Sequence, residues 1–292
     1  MAVCDFSLHN PRTLAEACTL GRDLGENGRY LAGGTELLLD LKNKRENASQ
    51  VINLQAIPEL RHITLTDGSL RIGAMATLTE VVESAEVQRA FPELAAAVLT
   101  MAGPQIRNQG TIGGNFCRAV PCADTPPVCL AARATLQIVG VAGAREVTAE
   151  QFFLGPRQTV LSRDELLVSL TIPPLPSHCG TSYQRFSLRG GSALAVAAVA
   201  AQVVLDGERL ATARVVLSAV APVPLLAEKC NDILRGQTVS SALFRQAAKQ
   251  VAAEAQPITD IRGSDTFRRE LVAVLTVRAL ETASARARGE DI

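Results

Sequence analysis

Two glycine-containing segments are where this sequence could first do chemistry: Ala32-Gly33-Gly34-Thr35-Glu36-Leu37 and Gly110-Thr111-Ile112-Gly113-Gly114-Asn115. Glycine lets successive backbone N–H groups converge on one concavity and lets a ligand approach the main chain. Two such segments facing each other would grip a pyrophosphate from both sides. The hydroxyls of Thr35 and Thr111 would add donors. Each pair taken alone also reads as an ordinary turn. Asp124 follows the second pair in a proline-rich stretch. Its carboxylate suits a ribose hydroxyl, and equally an Asx turn with its own backbone.

Other chemistries find less support. No G-x-G-x-x-G lies between a strand and a helix, and no G-x-x-x-x-G-K-S/T occurs, so a bound dinucleotide needs a fold other than the Rossmann or P-loop types. His9, His62 and His178 are scattered and form no H-E-x-x-H, and no metal ligand set is expected. Cys4, Cys18, Cys117, Cys122, Cys129, Cys179 and Cys230 are odd in number and widely spaced, which reads as free thiols. Cys117, Cys122 and Cys129 lie close together, but a [4Fe–4S] cluster takes four thiolates. They are expected to pack, the first two behind the second glycine segment and Cys129 in the apolar run that follows. With no Trp and two Tyr, backbone contacts should matter more to a ligand than aromatic stacking. No side chain reads as a nucleophile or general base, so no catalytic residue is assigned.

The elements that must position these segments follow from periodicity. Thr13 and Glu16 have capping-box spacing ahead of a helix over 14–24 that stops at Gly25. Residues 30–32 and 51–54 read as short strands, and Asp67-Gly68 as the turn of a hairpin between Ile63 and Gly73. Pro92 opens a helix that ends near Gly103-Pro104 and delivers the chain to a long polar loop holding the second glycine pair. Strands are expected over 134–139 and 166–172, then a linker near 173–180 marked by Pro173, Pro174 and Pro176. Beyond it come strands over 195–205 and 214–220 around the turn Asp206-Gly207. The last helix is capped by Ser264, with Phe267, Leu271, Val274, Leu275 and Leu280 as its apolar stripe and Arg286 and Arg288 near its C-terminal dipole.

A chain of 292 residues, 47% hydrophobic, can bury more than one core. Lys+Arg 29 against Asp+Glu 29 gives no broad field for nucleic acid or anionic lipid, so neither is expected as a partner. No segment has the apolar length of a transmembrane helix, and none resembles a signal peptide; a cytoplasmic protein is expected.

Taken in order, Leu31 to Glu36, Ile72-Gly73-Ala74, Ala102 to Asn108 with Gly110 to Asn115, Ala123 to Pro127, and Arg262-Gly263-Ser264 through Phe267-Arg268-Arg269 resemble successive signatures of one family. It is the FAD-binding medium subunit of molybdenum hydroxylases of the xanthine dehydrogenase and carbon monoxide dehydrogenase type. The resemblance implies an α+β fold: a PCMH-like FAD-binding region over 1–175, in subdomains of about 1–58 and 59–175, then a C-terminal domain over 180–288 of a small antiparallel sheet with helices. It implies FAD cradled by Ala32 to Leu37 and by Gly110 to Asn115, with Asp124 on the ribose. Ala102 would also bind the cofactor, and Met101, Leu161 and Arg185 would lie near the isoalloxazine, Arg185 as a cation at the N1–C2=O edge. Some relatives have aromatic side chains where Met101 and Ala193 stand, so one flavin face is expected to be open or covered by aliphatic groups. The resemblance further implies a large molybdopterin subunit and a small subunit with [2Fe–2S] clusters, joined as a dimer of heterotrimers, with electrons leaving to an external acceptor. Two other readings remain at this point: a self-sufficient FAD oxidoreductase, and a scaffold subunit without cofactor.

Overall fold

The computed structural model describes residues 5–290. Its first unit is a small parallel sheet of β1 (Ser7–His9), β3 (Gln50–Asn53) and β2 (Gly28–Leu31), in that order, with α1 (Leu14–Leu24) and α2 (Leu37–Lys42) in the crossovers. Thr13 Oγ1 caps α1 by accepting the Glu16 N–H at 3.2 Å. Glu16 returns its carboxylate to the Arg12 N–H at 2.9 Å, one residue earlier than a capping box requires. Gly25, at φ +50°, ends the helix as expected.

The second unit is a five-stranded antiparallel sheet in the order β4 (Ile63–Thr66), β5 (Ser69–Gly73), β10 (Leu166–Ile172), β6 (Thr135–Gly140), β7 (Gly143–Thr148). Asp67 and Gly68 turn the β4–β5 hairpin with φ of +50° and +78°, the pair of positive values a two-residue turn needs. A helical layer covers one face: α3 (Leu78–Glu83), α4 (Ala85–Ala90), α5 (Pro92–Leu99), α6 (Pro104–Arg107), α7 (Ile112–Arg118) and α8 (Thr125–Ala131). Phe91, Phe116, Phe152 and Leu94 are fully buried in the core between them. The expected polar loop is thus three short helices. Pro104, Pro126 and Pro127 sit in first helical turns, where a missing N–H costs nothing, so they start α6 and α8 and do not mark loops. A two-stranded ribbon of β8 (Phe153–Gly155) and β9 (Gln158–Thr159) completes this unit.

Residues 173–178 form no helix or strand. The third unit follows: β11 (Cys179–Phe186), β12 (Ala197–Asp206), β13 (Arg209–Ser218) and β14 (Leu225–Leu226), antiparallel in that order, packed on α9 (Glu228–Leu234), α10 (Ser241–Glu254) and α11 (Asp265–Ala287). Ser264 caps α11 as expected, but the buried stripe is rotated from the expected one. Phe267 and Val274 are partly exposed, whereas Arg268, Val272, Leu275, Ala279 and Ala283 face inward. Arg268 can be interior because it donates to the carbonyls of Val196 and Ala219 and to Asp260. Burial alone would raise the Asp260 pKa, but hydrogen bonds from Arg262 and Arg268 outweigh it and hold the carboxyl down at about 2. Arg286 and Arg288 do not serve the helix dipole alone: Arg286 reaches Glu93 and the Thr181 carbonyl, and Arg288 pairs with Glu208. Glu93 also accepts the Tyr183 N–H. The outer edge of β11 is therefore hydrogen-bonded to α5 of the second unit and not left open.

Candidate ligand-binding cleft

The C-terminal end of β2 turns at Gly33-Gly34 directly beside the chain entering α7. A Cβ on Gly33 would sit 1.8 Å from the Gln109 carbonyl oxygen and 3.1 Å from the Gly110 Cα, so only glycine allows the two segments to meet. They open on a cleft of about 450 Å³, a size typical of small-molecule sites. Every expected site residue except Ile112 and Arg185 lines it: Ala32 to Leu37, Met101, Ala102, Gly110, Thr111, Gly113 to Asn115, Asp124 and Leu161.

The two glycine segments contribute differently. Gly34 has φ +73°, and the N–H groups of Gly33, Gly34, Thr35 and Glu36 have no acceptor among the described residues. Successive unpaired N–H groups turned to one side form a nest for an anion. In the second segment the N–H groups are already bonded: Ile112 to the Ala76 carbonyl, Gly113 to the Ala74 carbonyl, Gly114 to Thr111 Oγ1 and Asn115 to the Thr111 carbonyl. Ile112 is wholly buried in the core and does not line the cleft. Gly113 serves packing, since a Cβ there would lie 2.5 Å from the Ala74 Cβ. What the second segment offers the cleft is the Thr111 N–H, which has no acceptor among the described residues, and the Asn115 amide. Thr125 donates its hydroxyl to Asn115 Oδ1 at 2.7 Å, and the Nδ2 donors have no partner among the described residues.

Met101, Leu161, Ala193 and Leu194 give the cleft aliphatic lining. Asp124, 5% exposed, is not in an Asx turn. Its Oδ1 accepts the Tyr183 hydroxyl at 2.6 Å and lies 3.0 Å from Arg185 Nε. Burial raises its pKa while Arg185 and Tyr183 oppose that rise. Arg185 spends its terminal nitrogens on the carbonyls of Thr100 and Ala193. Arg185 does not itself line the cleft, and it is tied to Thr100, Ala193 and Asp124.

Side-chain charge in the cleft is largely paired. Arg29 pairs with Glu46 at 2.6 Å, and Arg118 with Asp40 at 2.5 Å and Glu36 at 3.3 Å. Arg118 Nε, the atom 3.3 Å from the Glu36 carboxylate, is buried and makes an ion pair but no hydrogen bond. The backbone nest and the closure that a Gly33 Cβ would block fit a pyrophosphate-bridged ligand, held more by main chain than by cations. Sequence reasoning missed Arg29, Glu46 and Arg118, which no local pattern marks. It placed Cys117 and Cys122 behind the segment, whereas both line the cleft. Cys129 is buried in α8, as expected.

Comparison with known proteins agrees with this geometry. Residues 4–175 match the FAD binding domain in molybdopterin dehydrogenase, and residues 182–283 match the CO dehydrogenase flavoprotein C-terminal domain. A putative xanthine dehydrogenase FAD-binding subunit of Escherichia coli is 32% identical over 98% of this chain and 99% of its own. The carbon monoxide dehydrogenase medium chain of Hydrogenophaga pseudoflava is 32% identical over 96% and 98%. In a solved structure of carbon monoxide dehydrogenase from that organism, the matching chain superposes with a TM-score of 0.95, covering 98% of this chain and 99% of the other. Quinoline 2-oxidoreductase from Pseudomonas putida gives 0.93 at 29% identity, covering 98% and 99%. This chain belongs to the family of FAD-binding medium subunits of xanthine dehydrogenase and carbon monoxide dehydrogenase type molybdenum hydroxylases, which are oxidoreductases.

Proposed function

We propose that the chain is the electron-transfer flavoprotein of a heteromeric molybdenum hydroxylase. It takes electrons from [2Fe–2S] clusters of a small subunit, after a large molybdopterin subunit has oxidised the organic substrate, and passes them to an external acceptor. The complex is a dimer of heterotrimers in the cytoplasm; no helix among the described residues is long and apolar enough to cross a membrane. FAD, when bound, accepts electrons singly and releases them singly or in pairs, and the protein's part is to bind, orient and tune it.

In this reading the N–H groups of Gly33 to Glu36 hold the pyrophosphate, with the Thr111 N–H and Asn115 Nδ2 opposite. Asp124 accepts from a ligand hydroxyl, and Met101, Ala102, Leu161 and Ala193 give the ring system an aliphatic wall. Residues 1–175, in subdomains divided near residue 58, act as the FAD-binding region, and 180–288 as the C-terminal domain. The breaks between the three sheets and the limits of the family matches support that division. The observation that carries the reading is the run of four unpaired N–H groups beside a closure only glycine permits. The cleft's ionisable groups are largely tied in ion pairs, which favours holding a cofactor over moving protons.

Purifying the chain with its associated subunits tests this. Flavin absorbance in the complex, and substrate-driven flavin reduction that stops when the molybdenum subunit is removed, are the expected results. A colourless complex would contradict the cofactor assignment, and substrate turnover by the isolated chain would contradict the division of labour.

A further inference from the structure

We infer that Tyr183 and Arg185, on the first strand of the C-terminal sheet, are positioning residues that hold the Asp124 carboxylate for a hydroxyl of the bound FAD. The grip on the cofactor then depends on how that sheet docks. The inference rests on the flavin reading above and adds to it a cross-unit dependence.

The geometry is asymmetric. Both contacts fall on Oδ1, from the Tyr183 hydroxyl at 2.6 Å and Arg185 Nε at 3.0 Å. No donor among the described residues reaches Oδ2, and Asp124 lines the cleft, so the free oxygen is the one a ligand hydroxyl can use. Tyr183 and Arg185 are alternate positions of β11 and so share one face of the strand, opposite the one that carries the buried Gly180 and Ser182. That strand is fixed to α5 by Glu93, which accepts the Tyr183 N–H and pairs with Arg286 of α11. Arg185 also spans to the Thr100 carbonyl at the end of α5 and to the Ala193 carbonyl. One strand thus orients the carboxylate and ties down the aliphatic wall.

A carboxyl this buried drifts towards its neutral form unless partners stabilise the charge, and an ionised acceptor makes the stronger hydrogen bond. Burial raises the Asp124 pKa; Arg185 and then Tyr183 pull it back. Cys122 also faces this cluster; burial raises the pKa of its thiol, and Arg262 opposes that rise by favouring the thiolate. Removing the Tyr183 hydroxyl takes away one of the two opposing effects, so Asp124 protonates at higher pH.

The experiment uses the full chain in its complex, stripped of FAD and titrated with FAD by flavin fluorescence from acidic to neutral pH. Tyr183→Phe keeps the ring and is expected to weaken binding about tenfold at neutral pH, ~1.4 kcal/mol. Its acid loss of affinity should move to higher pH, with the melting temperature little changed. Combined with Asp124→Asn, it should weaken binding no further than Asp124→Asn alone, because one acts through the other. An unchanged affinity and pH profile in Tyr183→Phe, or losses that multiply in the double variant, would overturn the inference while leaving the flavin reading intact. A wild-type complex that takes up no FAD would overturn both.

Discussion

At Gly33-Gly34 the chain leaves a strand, turns with Gly34 at φ +73°, and keeps four N–H groups unspent. At Gly113-Gly114 the same two residues lie in the first turn of α7, with their N–H groups bonded to the Ala74 carbonyl and Thr111 Oγ1. The first pair lines the cleft with N–H groups that have no acceptor among the described residues. The second lets a helix approach a strand end, at Ala74, more closely than a side chain would allow. A glycine pair therefore announces that something comes near the backbone, and the destination of the N–H groups decides whether that something is a ligand or the protein itself.

Substitutions can break this contrast. Gly33→Val should have the largest effect, because it drives a branched side chain into the Gln109 carbonyl and opens the junction. FAD affinity should fall about 100-fold or more, ~3 kcal/mol, read as loss of flavin absorbance from the purified protein. Gly114→Val comes next. Its Cβ would meet Thr111 Oγ1 at 2.9 Å and otherwise face open space, with Ala32 at 3.9 Å. It should perturb the α7 cap by about 1 kcal/mol and crowd the cleft, so that flavin content falls while the circular dichroism of the fold persists. Gly113→Ala should act on stability: overpacking against Ala74 should cost about 1–3 kcal/mol in denaturant unfolding, with FAD affinity per folded molecule retained. A Gly113→Ala protein of full stability that has lost FAD would reverse the roles assigned to the two residues. The smallest effect is expected from Thr125→Val, which frees Asn115 to rotate. About 1 kcal/mol of binding should be lost, detectable as a several-fold weaker Kd for FAD.

Much of this was legible in the sequence because it is local. The α1 boundaries, the Asp67-Gly68 hairpin, the Ser264 cap and the two glycine segments that line the cleft depend on neighbours within a few positions, or on motifs whose order is itself informative. Non-local partnerships were hidden. Arg268 is interior only because Val196, Ala219 and Asp260 converge on it, and Arg185 is engaged by Thr100, Ala193 and Asp124. β11 begins where prolines suggested a linker, since its pairing with β12 outweighs weak local propensity. Proline itself misled around residues 104 and 126: the residue that ends one helix can occupy the first turn of the next.

Amide hydrogen exchange with and without FAD tests the central claim most directly, because it reports each N–H by name. Exchange at Gly33, Gly34, Thr35 and Glu36 should slow when FAD is added, while Ile112, Gly113 and Gly114 should be protected in both states. Fast exchange at 33–36 in the presence of saturating FAD, or amides at 112–114 that gain protection only when it binds, would contradict the account.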